Sequence, residues 1–325
     1  MAYHTTPYLL LFLPAALLFY QITPAKWRSY TLLIFSYLFF WSFSEKLIIY
    51  LIGTTFLTHH ICIWMDTMDK RDKRKKRVFQ LGILLLLGTI LCLKYRNFFF
   101  GNVSKLAMVL HIDWSYQDQL IFLPIGISFY TLSAIGYMAD VYWGKVKAEY
   151  SLVKTALFLG FFPVIVEGPI CRWEDVEDTL FKNESVKAEN VFKGCYRIIW
   201  GLFKKMIIAD RLAVLVDKVY VGYESYSGAV IVAAAISYTI QLYMEFSGCM
   251  DMVIGSAGLF GIRLPENFSQ PLFAKTCTDF WKRWHITLGV WFKNYIFYPV
   301  SISKTARKWN KFTRKHFKGD FGKYV

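Results

Sequence analysis

The chain has 325 residues, 55% hydrophobic and 19% aromatic, with only 19% charged and a mean hydropathy of +0.34. That balance excludes an ordinary soluble domain, which carries more charge and fewer aromatic residues. The apolar runs approach the ~20 residues that span a bilayer, and they are continuous rather than alternating, which excludes a membrane β-barrel.

The expected class is therefore an all-α, polytopic membrane protein whose first partner is the lipid bilayer. Most of the formal net charge of +15 sits in two segments, 66–77 (+4) and 301–325 (+7). They read as cytoplasmic loops near anionic lipid, not as a nucleic-acid footprint. No pair among the six cysteines has metal-ligand or redox spacing, so these read as small packing residues.

In chain order, residues 7–22 read as a retained first helix, since no basic stretch precedes them and no small-residue cleavage site follows. Residues 30–43 and 47–64 read as the second and third helices, with Trp27, Trp41 and Trp64 at their ends where amphipathic rings favour the interface. The basic loop at 66–77 places the end of the third helix in the cytoplasm and the N-terminus outside. A fourth helix is expected over 78–93, an interfacial or re-entrant piece over 97–111, and a polar link over 112–119. Residues 120–143 read as an apolar helix tolerating Pro124 and Gly126. A helix over 152–166 is broken at Pro163, and 171–190 is a charged link. Helices follow over 191–208 and 209–222, and residues 228–248 form the strongest spanning candidate of the second half. With no internal repeat and no low-complexity linker, residues 1–325 read as one integral membrane domain.

The stretch 241–299 carries the groups that lipid tolerates least. Gln241 and Glu245 lie one helical turn apart; Asp251, Gly255 and Gly258 follow at steps of four and three. The glycines read as packing positions. Glu245 and Asp251 need partners, with Arg263, Lys282 and Arg283 as candidates, and either a structural ion pair or a catalytic role fits them. Pro265 interrupts the helix ahead of Glu266 and Asn267. Thr278 is the expected cap of a helix starting at Asp279, on which Trp281, His285, Leu288 and Phe292 share one face. His285 there reads either as a hydrogen-bonded core histidine or as a functional group. His4, His59, His60, His111 and His316 read as structural.

The string FWKRWHITLGVWFKNYIFYPV (280–300) resembles the signature of the membrane-bound O-acyltransferase family. Four further strings resemble that family's bacterial alginate O-acetyltransferase branch: EFSGCMDMVIGSAGLFGIRLPENFSQP, LPIGISFYTLSAIGYMADVYWGK (123–145), FFPVIVEGPICRW (161–173) and GLFKKMIIADRLA (201–213). The D-alanyl transfer proteins of teichoic acid modification share the later motif. The resemblance implies a ring of transmembrane and re-entrant helices around a central tunnel. It also implies transfer of an acyl group, expected to be acetyl, from a cytoplasmic thioester such as acetyl-CoA to a hydroxyl of an extracellular or cell-wall polysaccharide. No cofactor is bound in that scheme. The partners it implies are the polysaccharide and accessory acetylation proteins or an acyl carrier, and the site implied is a multi-pass protein of the bacterial cytoplasmic membrane. An alcohol attacking a thioester needs a general base, and histidine has the closest unperturbed pKa. His285 matches the first of two family histidines and is the leading catalytic residue. Glu245, Asp251, Asn267, Trp284, Lys282 and Arg283 are the further chamber candidates, the last two also as binders of the donor's phosphates. The second family histidine, usually taken as the catalytic base and found in a Trp-His-Gly context beyond another helix, has no match up to Val325. The chain therefore reads as the N-terminal part of such a fold. Alternatives are D-alanyl transfer to teichoic acid, or an inactive copy that only binds partner proteins.

Overall fold

A computed structural model describes residues 2–69, 72–114, 116–117 and 123–316. The end of the polar link, the start of the apolar helix expected from 120, part of the first basic loop and the end of the basic tail lie outside them. Every regular element among the described residues is helical. The chain divides into two compact units, Met1–Pro265 and Glu266–Val325.

The first unit opens with a π-helical turn, Pro7–Phe12, that runs into α1 (Leu13–Ile22). Helices α2 (Arg28–Ser44) and α3 (Ile48–Asp66) are separated by a 3-10 turn, Glu45–Leu47, whose first residue sits at φ 40°, outside the α-helical region. Next come α4 (Lys73–Lys94), α5 (Arg96–Val109) and α6 (Ile127–Trp143). Residues 123–126 of the expected apolar helix, Pro124 among them, are not helical. Gly126 sits at φ 77°, and a Cβ there would lie 1.8 Å from the Ile165 carbonyl oxygen, so α6 begins one residue later. Helix α7 (Leu152–Gly160) ends before Pro163 is reached and packs on both α2 and α3. The charged link contains a helix of its own, α8 (Trp173–Leu180).

Helix α9 (Ala188–Leu202) continues through a π-helical stretch, Phe203–Ala209, into α10 (Asp210–Val221). It lies along α11 (Gly228–Leu259), which extends 32 residues, well past the expected end at 248. The contact runs along glycines. A Cβ on Gly201 would come 2.5 Å from the Gly248 carbonyl oxygen, and one on Gly194 would come 2.8 Å from that of Gly255. The two backbones touch at two levels, two helical turns apart, as small residues at such spacing permit.

Between these helices lies an aromatic core. Phe162 has ring centroids 5.2 Å from Phe12, 6.0 Å from Phe39 and 6.0 Å from Phe260, with Tyr8 at 6.4 Å. Its backbone N–H donates to Ser36 Oγ, and the buried Tyr3 hydroxyl donates to its carbonyl. Thus the FFP string is a packing motif here: its phenylalanines fill the core and Pro163 turns the chain.

Outside, the helices bear the opposite pattern. Leu11 is 70% exposed, Leu84 68% and Phe192 76%. Apolar side chains in continuous rows on a helix exterior match a lipid solvent. Among the described residues three helices are long and apolar enough to cross a membrane: Ala25–Asp66, which includes α2 and α3, Lys73–Lys94 and Gly228–Leu259. Among the cysteines, Cys62 and Cys171 are buried as packing residues, but Cys92, Cys195 and Cys277 are exposed.

The second unit begins with an extended stretch through Asn267 and holds α12 (Cys277–Arg283), α13 (Ile286–Phe292), α14 (Tyr298–Ser301) and α15 (Lys304–His316). Thr276, not Thr278, caps α12: its Oγ1 accepts from Asp279 N–H at 3.1 Å. Capping hydroxyls reach the amide three residues on, which Thr278 cannot do for Asp279. Nor is there one helix from 279 to 294. It breaks at Trp284 and His285, so the shared face expected for Trp281, His285, Leu288 and Phe292 does not exist.

Candidate active site

His285 occupies the break between α12 and α13, in the left-handed region at φ 47°, ψ 51°. Such a conformation is costly for a residue with a Cβ and persists only where the surroundings fix it. Here they do. The fully buried Asn267 pins the turn through both its main chain and its side chain. Its carbonyl oxygen accepts from Ile286 N–H at 3.0 Å. Its Oδ1 lies 3.1 Å from Thr287 N–H, 2.9 Å from Thr287 Oγ1 and 3.2 Å from His285 Nδ1. A second strap runs from Ser269 N–H to the Arg283 carbonyl at 3.0 Å.

This arrangement sets the histidine's tautomer. The Thr287 amide can only donate, so the Asn267 atom facing it is the oxygen. That oxygen can only accept, so His285 Nδ1 carries the proton that faces it. In the neutral ring the lone pair is then on Nε2, the nitrogen able to take a proton from a nucleophile. Burial lowers the imidazole pKa below its ordinary value, because the charged form is penalised by its loss of water. The ring is held neutral, oriented and basic at one defined atom.

Its neighbours in sequence play different parts. Trp284 stacks on Phe280 with centroids 5.6 Å apart and meets Phe268 edge-on at 5.0 Å, which anchors the chain just before the histidine. Arg283 Nε donates to Asp279 Oδ1 at 2.9 Å, an i,i+4 pair within α12. That hydrogen bond holds the Asp279 carboxyl below its usual range. Lys282 is exposed.

Glu245 and Asp251 lie in the first unit, and their cations are not those expected. Asp251 is gripped by α9 and the π-helical stretch. Its Oδ1 takes Arg197 Nε and Nη2 at 3.1 Å, and its Oδ2 takes Lys204 Nζ at 2.6 Å. Glu245 Oε1 takes Lys205 Nζ at 2.7 Å, and the same ammonium reaches Asp210 at 2.8 Å. The partners come from the helix packed along α11 because the glycine contact brings its bases within reach. Arg283 is engaged with Asp279 instead. Lys204 and Lys205 stand out in the sequence as adjacent bases inside an apolar helix, which was the available signal. Thr287 had none beyond its nearness to His285.

Glu245 also borders a cavity of about 510 Å³ lined on its polar side by Tyr3, His4, Glu167, Lys205 and Cys249. Cys249 Sγ lies 3.3 Å from Glu167 Oε2 and donates to it. Asp251 does not line it. Among the described residues no three His, Cys, Asp or Glu side chains gather in a way that could hold a metal ion.

Comparison with known proteins follows the same lines. A sequence profile of the MBOAT, membrane-bound O-acyltransferase family, matches residues 145–314. The protein of Pseudomonas aeruginosa named "Probable alginate O-acetylase AlgI" is 33% identical over 297 residues, 91% of this chain and 56% of that protein. The peptidoglycan O-acetyltransferase of Helicobacter pylori is 29% identical over 335 residues, 92% of this chain and 61% of the relative. The teichoic acid D-alanyltransferase of Bacillus subtilis is 29% identical over 193 residues, 58% of this chain and 48% of the relative. The chain thus spans about 56–61% of the length of the O-acetylating relatives it matches.

Proposed function

Because this chain belongs to the membrane-bound O-acyltransferase family, we propose that it transfers an acetyl group from a cytoplasmic thioester, acetyl-CoA or an acyl carrier, to a hydroxyl of an extracellular or cell-wall polysaccharide. The observation that supports this reading most directly is the hydrogen bond from His285 Nδ1–H to Asn267 Oδ1. It orients a neutral imidazole with Nε2 as the base.

The step assigned to His285 is the following. Nε2 takes the proton of the acceptor hydroxyl as its oxygen attacks the thioester carbonyl carbon. The tetrahedral intermediate then collapses, the C–S bond breaks, and the departing sulfur receives the proton from His285. An ester and a free thiol result. A positioned base of this kind contributes about 10²–10⁴ in rate. Asn267 positions the ring without touching the reacting atoms. Lys282, exposed beside the site, is assigned to the phosphates of the donor; Arg283, neutralised by Asp279, is not. A cytoplasmic-membrane location with several passes completes the reading, supported by the apolar helices and the family.

Replacing His285 with Ala in the protein expressed in its own membrane tests this. Polysaccharide acetylation should vanish at an unchanged membrane level of the protein. Acetylation that persists removes His285 from the mechanism. The teichoic acid D-alanyltransferase match supports a second reading, D-alanyl transfer from a carrier protein; turnover with acetyl-CoA and no carrier separates the two.

A further inference from the structure

The unit that carries His285 also carries α15, a helix of 13 residues with six bases and no acid. Ser303 starts it: its Oγ accepts from Ala306 N–H at 3.1 Å, the reach of an N-cap hydroxyl. Charge alone made this segment a loop near anionic lipid; a helix gives it sides.

Those sides are sorted by chemistry. Lys304, Arg307, Lys308 and Lys311 follow the i, i+3, i+4, i+7 spacing of a single face. Trp309 and Phe312 lie three apart on another, with ring centroids 6.0 Å from each other. At 3.6 residues per turn, the aromatic pair sits roughly a third of the way round from the bases. Trp309 is 60% exposed and Phe312 49%. Exposed apolar side chains, Val300 and Ile302, lead into the helix. Asp279, the acid of α12, is taken by Arg283 and does not answer these bases.

At 1.5 Å per residue α15 is about 20 Å long, too short and too charged to cross a bilayer. A helix with one basic and one aromatic side lies flat in the interface instead. Its rings enter the headgroup layer, and its long basic side chains reach lipid phosphates. The bases alone would suit any polyanion. The exposed tryptophan beside them favours a bilayer surface, where its amphipathic ring is at home, and the chain's own spanning helices keep that surface within reach.

We infer that α15 is an anionic-lipid anchor. It lies along the bilayer surface, with Trp309 and Phe312 in the headgroup layer and Lys304, Arg307, Lys308 and Lys311 against lipid phosphates. It thereby ties the unit that carries His285 to negatively charged lipid. This role is independent of the reaction assigned to His285.

The test is limited trypsin digestion of the full chain in nanodiscs of phosphatidylcholine, with and without phosphatidylglycerol, read by peptide mass. Cleavage after Arg307, Lys308 and Lys311 should slow about fivefold or more with phosphatidylglycerol, while cleavage after the exposed Lys187 keeps its rate. High salt should return most of the lost rate, since the attraction is screened. Trp309→Ser combined with Phe312→Ser keeps every base and should lose most of the protection. Equal cleavage of the unaltered protein in the two kinds of nanodisc overturns the anchor. Full protection in the double variant overturns the insertion of the rings, and the anchor with it. Protection that phosphatidylglycerol does not give, but that coenzyme A or an acidic acyl carrier protein gives in phosphatidylcholine alone, assigns the bases to a soluble polyanion and overturns the anchor as well.

Discussion

At the scale of single residues, the pair Asn267–His285 makes a specific claim about pH. The histidine's pKa is lowered by burial, so the ring remains neutral until the pH falls below the ordinary histidine value of about 6.5. Acetyl transfer should therefore be flat through neutrality and decline only on the acid side, below that value, in a rate-versus-pH profile. Asn267→Asp places a carboxylate against Nδ1–H, which favours the imidazolium. The acid limb should then move to higher pH, a shift that a purely structural Asn267 would not produce. Asn267→Ala should lower kcat by about 10- to 100-fold with a smaller change in KM, because the loss is of orientation in the transition state rather than of binding. Asp251 makes a claim of another kind. With Arg197 and Lys204 both directed at it, Asp251→Asn removes the one carboxylate charge that both cations pair with. It should cost of the order of 3 kcal/mol, seen as a lower thermal midpoint in detergent.

Among the elements, the contact between α9 and α11 depends on the absence of side chains. Gly201→Leu would drive its Cβ into the Gly248 carbonyl at 2.5 Å. Overpacking of this kind costs about 1–3 kcal/mol, and here it also separates Lys204 and Lys205 from their acids. Gly53→Ala is the matching control. It lies within α3 with nothing within 4 Å of the added Cβ, and should be neutral or slightly stabilising. Comparing the two variants by fluorescence-detected size exclusion after heating checks both. The break between α12 and α13 is a second feature at this scale. Thr276→Ala removes the α12 cap and should cost about 1 kcal/mol. Its effect on acetylation should stay small, since the His285 turn is held independently by Asn267.

For the whole molecule, the inverted exterior decides the solvent. Rows of exposed leucine, isoleucine and phenylalanine on α4, α9 and α11 surround a core that contains serine, threonine and tyrosine hydrogen bonds, such as Tyr8 Oη to Ser256 Oγ at 3.0 Å. The protein should stay with the membrane fraction through alkaline carbonate washing and leave it only with detergent. Release by carbonate would contradict the reading of these helices as membrane-spanning.

Composition and hydrophobic run length by themselves determined the class, the positions of the first four helices and the need for partners at Glu245 and Asp251. These follow from transfer free energies that depend on residue type and little on context. Motif strings in fixed order made His285 the leading candidate and left Asn267 as one of six further ones. What they could not supply was the pairing. Which bases answer Glu245 and Asp251 depends on two glycine seams bringing α9 against α11, contacts across some fifty residues of chain. The helical wheel failed at His285 because a side-chain amide eighteen residues away outcompetes the local helix and holds the turn in the left-handed region. Periodicity reads local preference; a buried Asn that must satisfy its hydrogen bonds overrides it, and only the tertiary structure shows where that occurs.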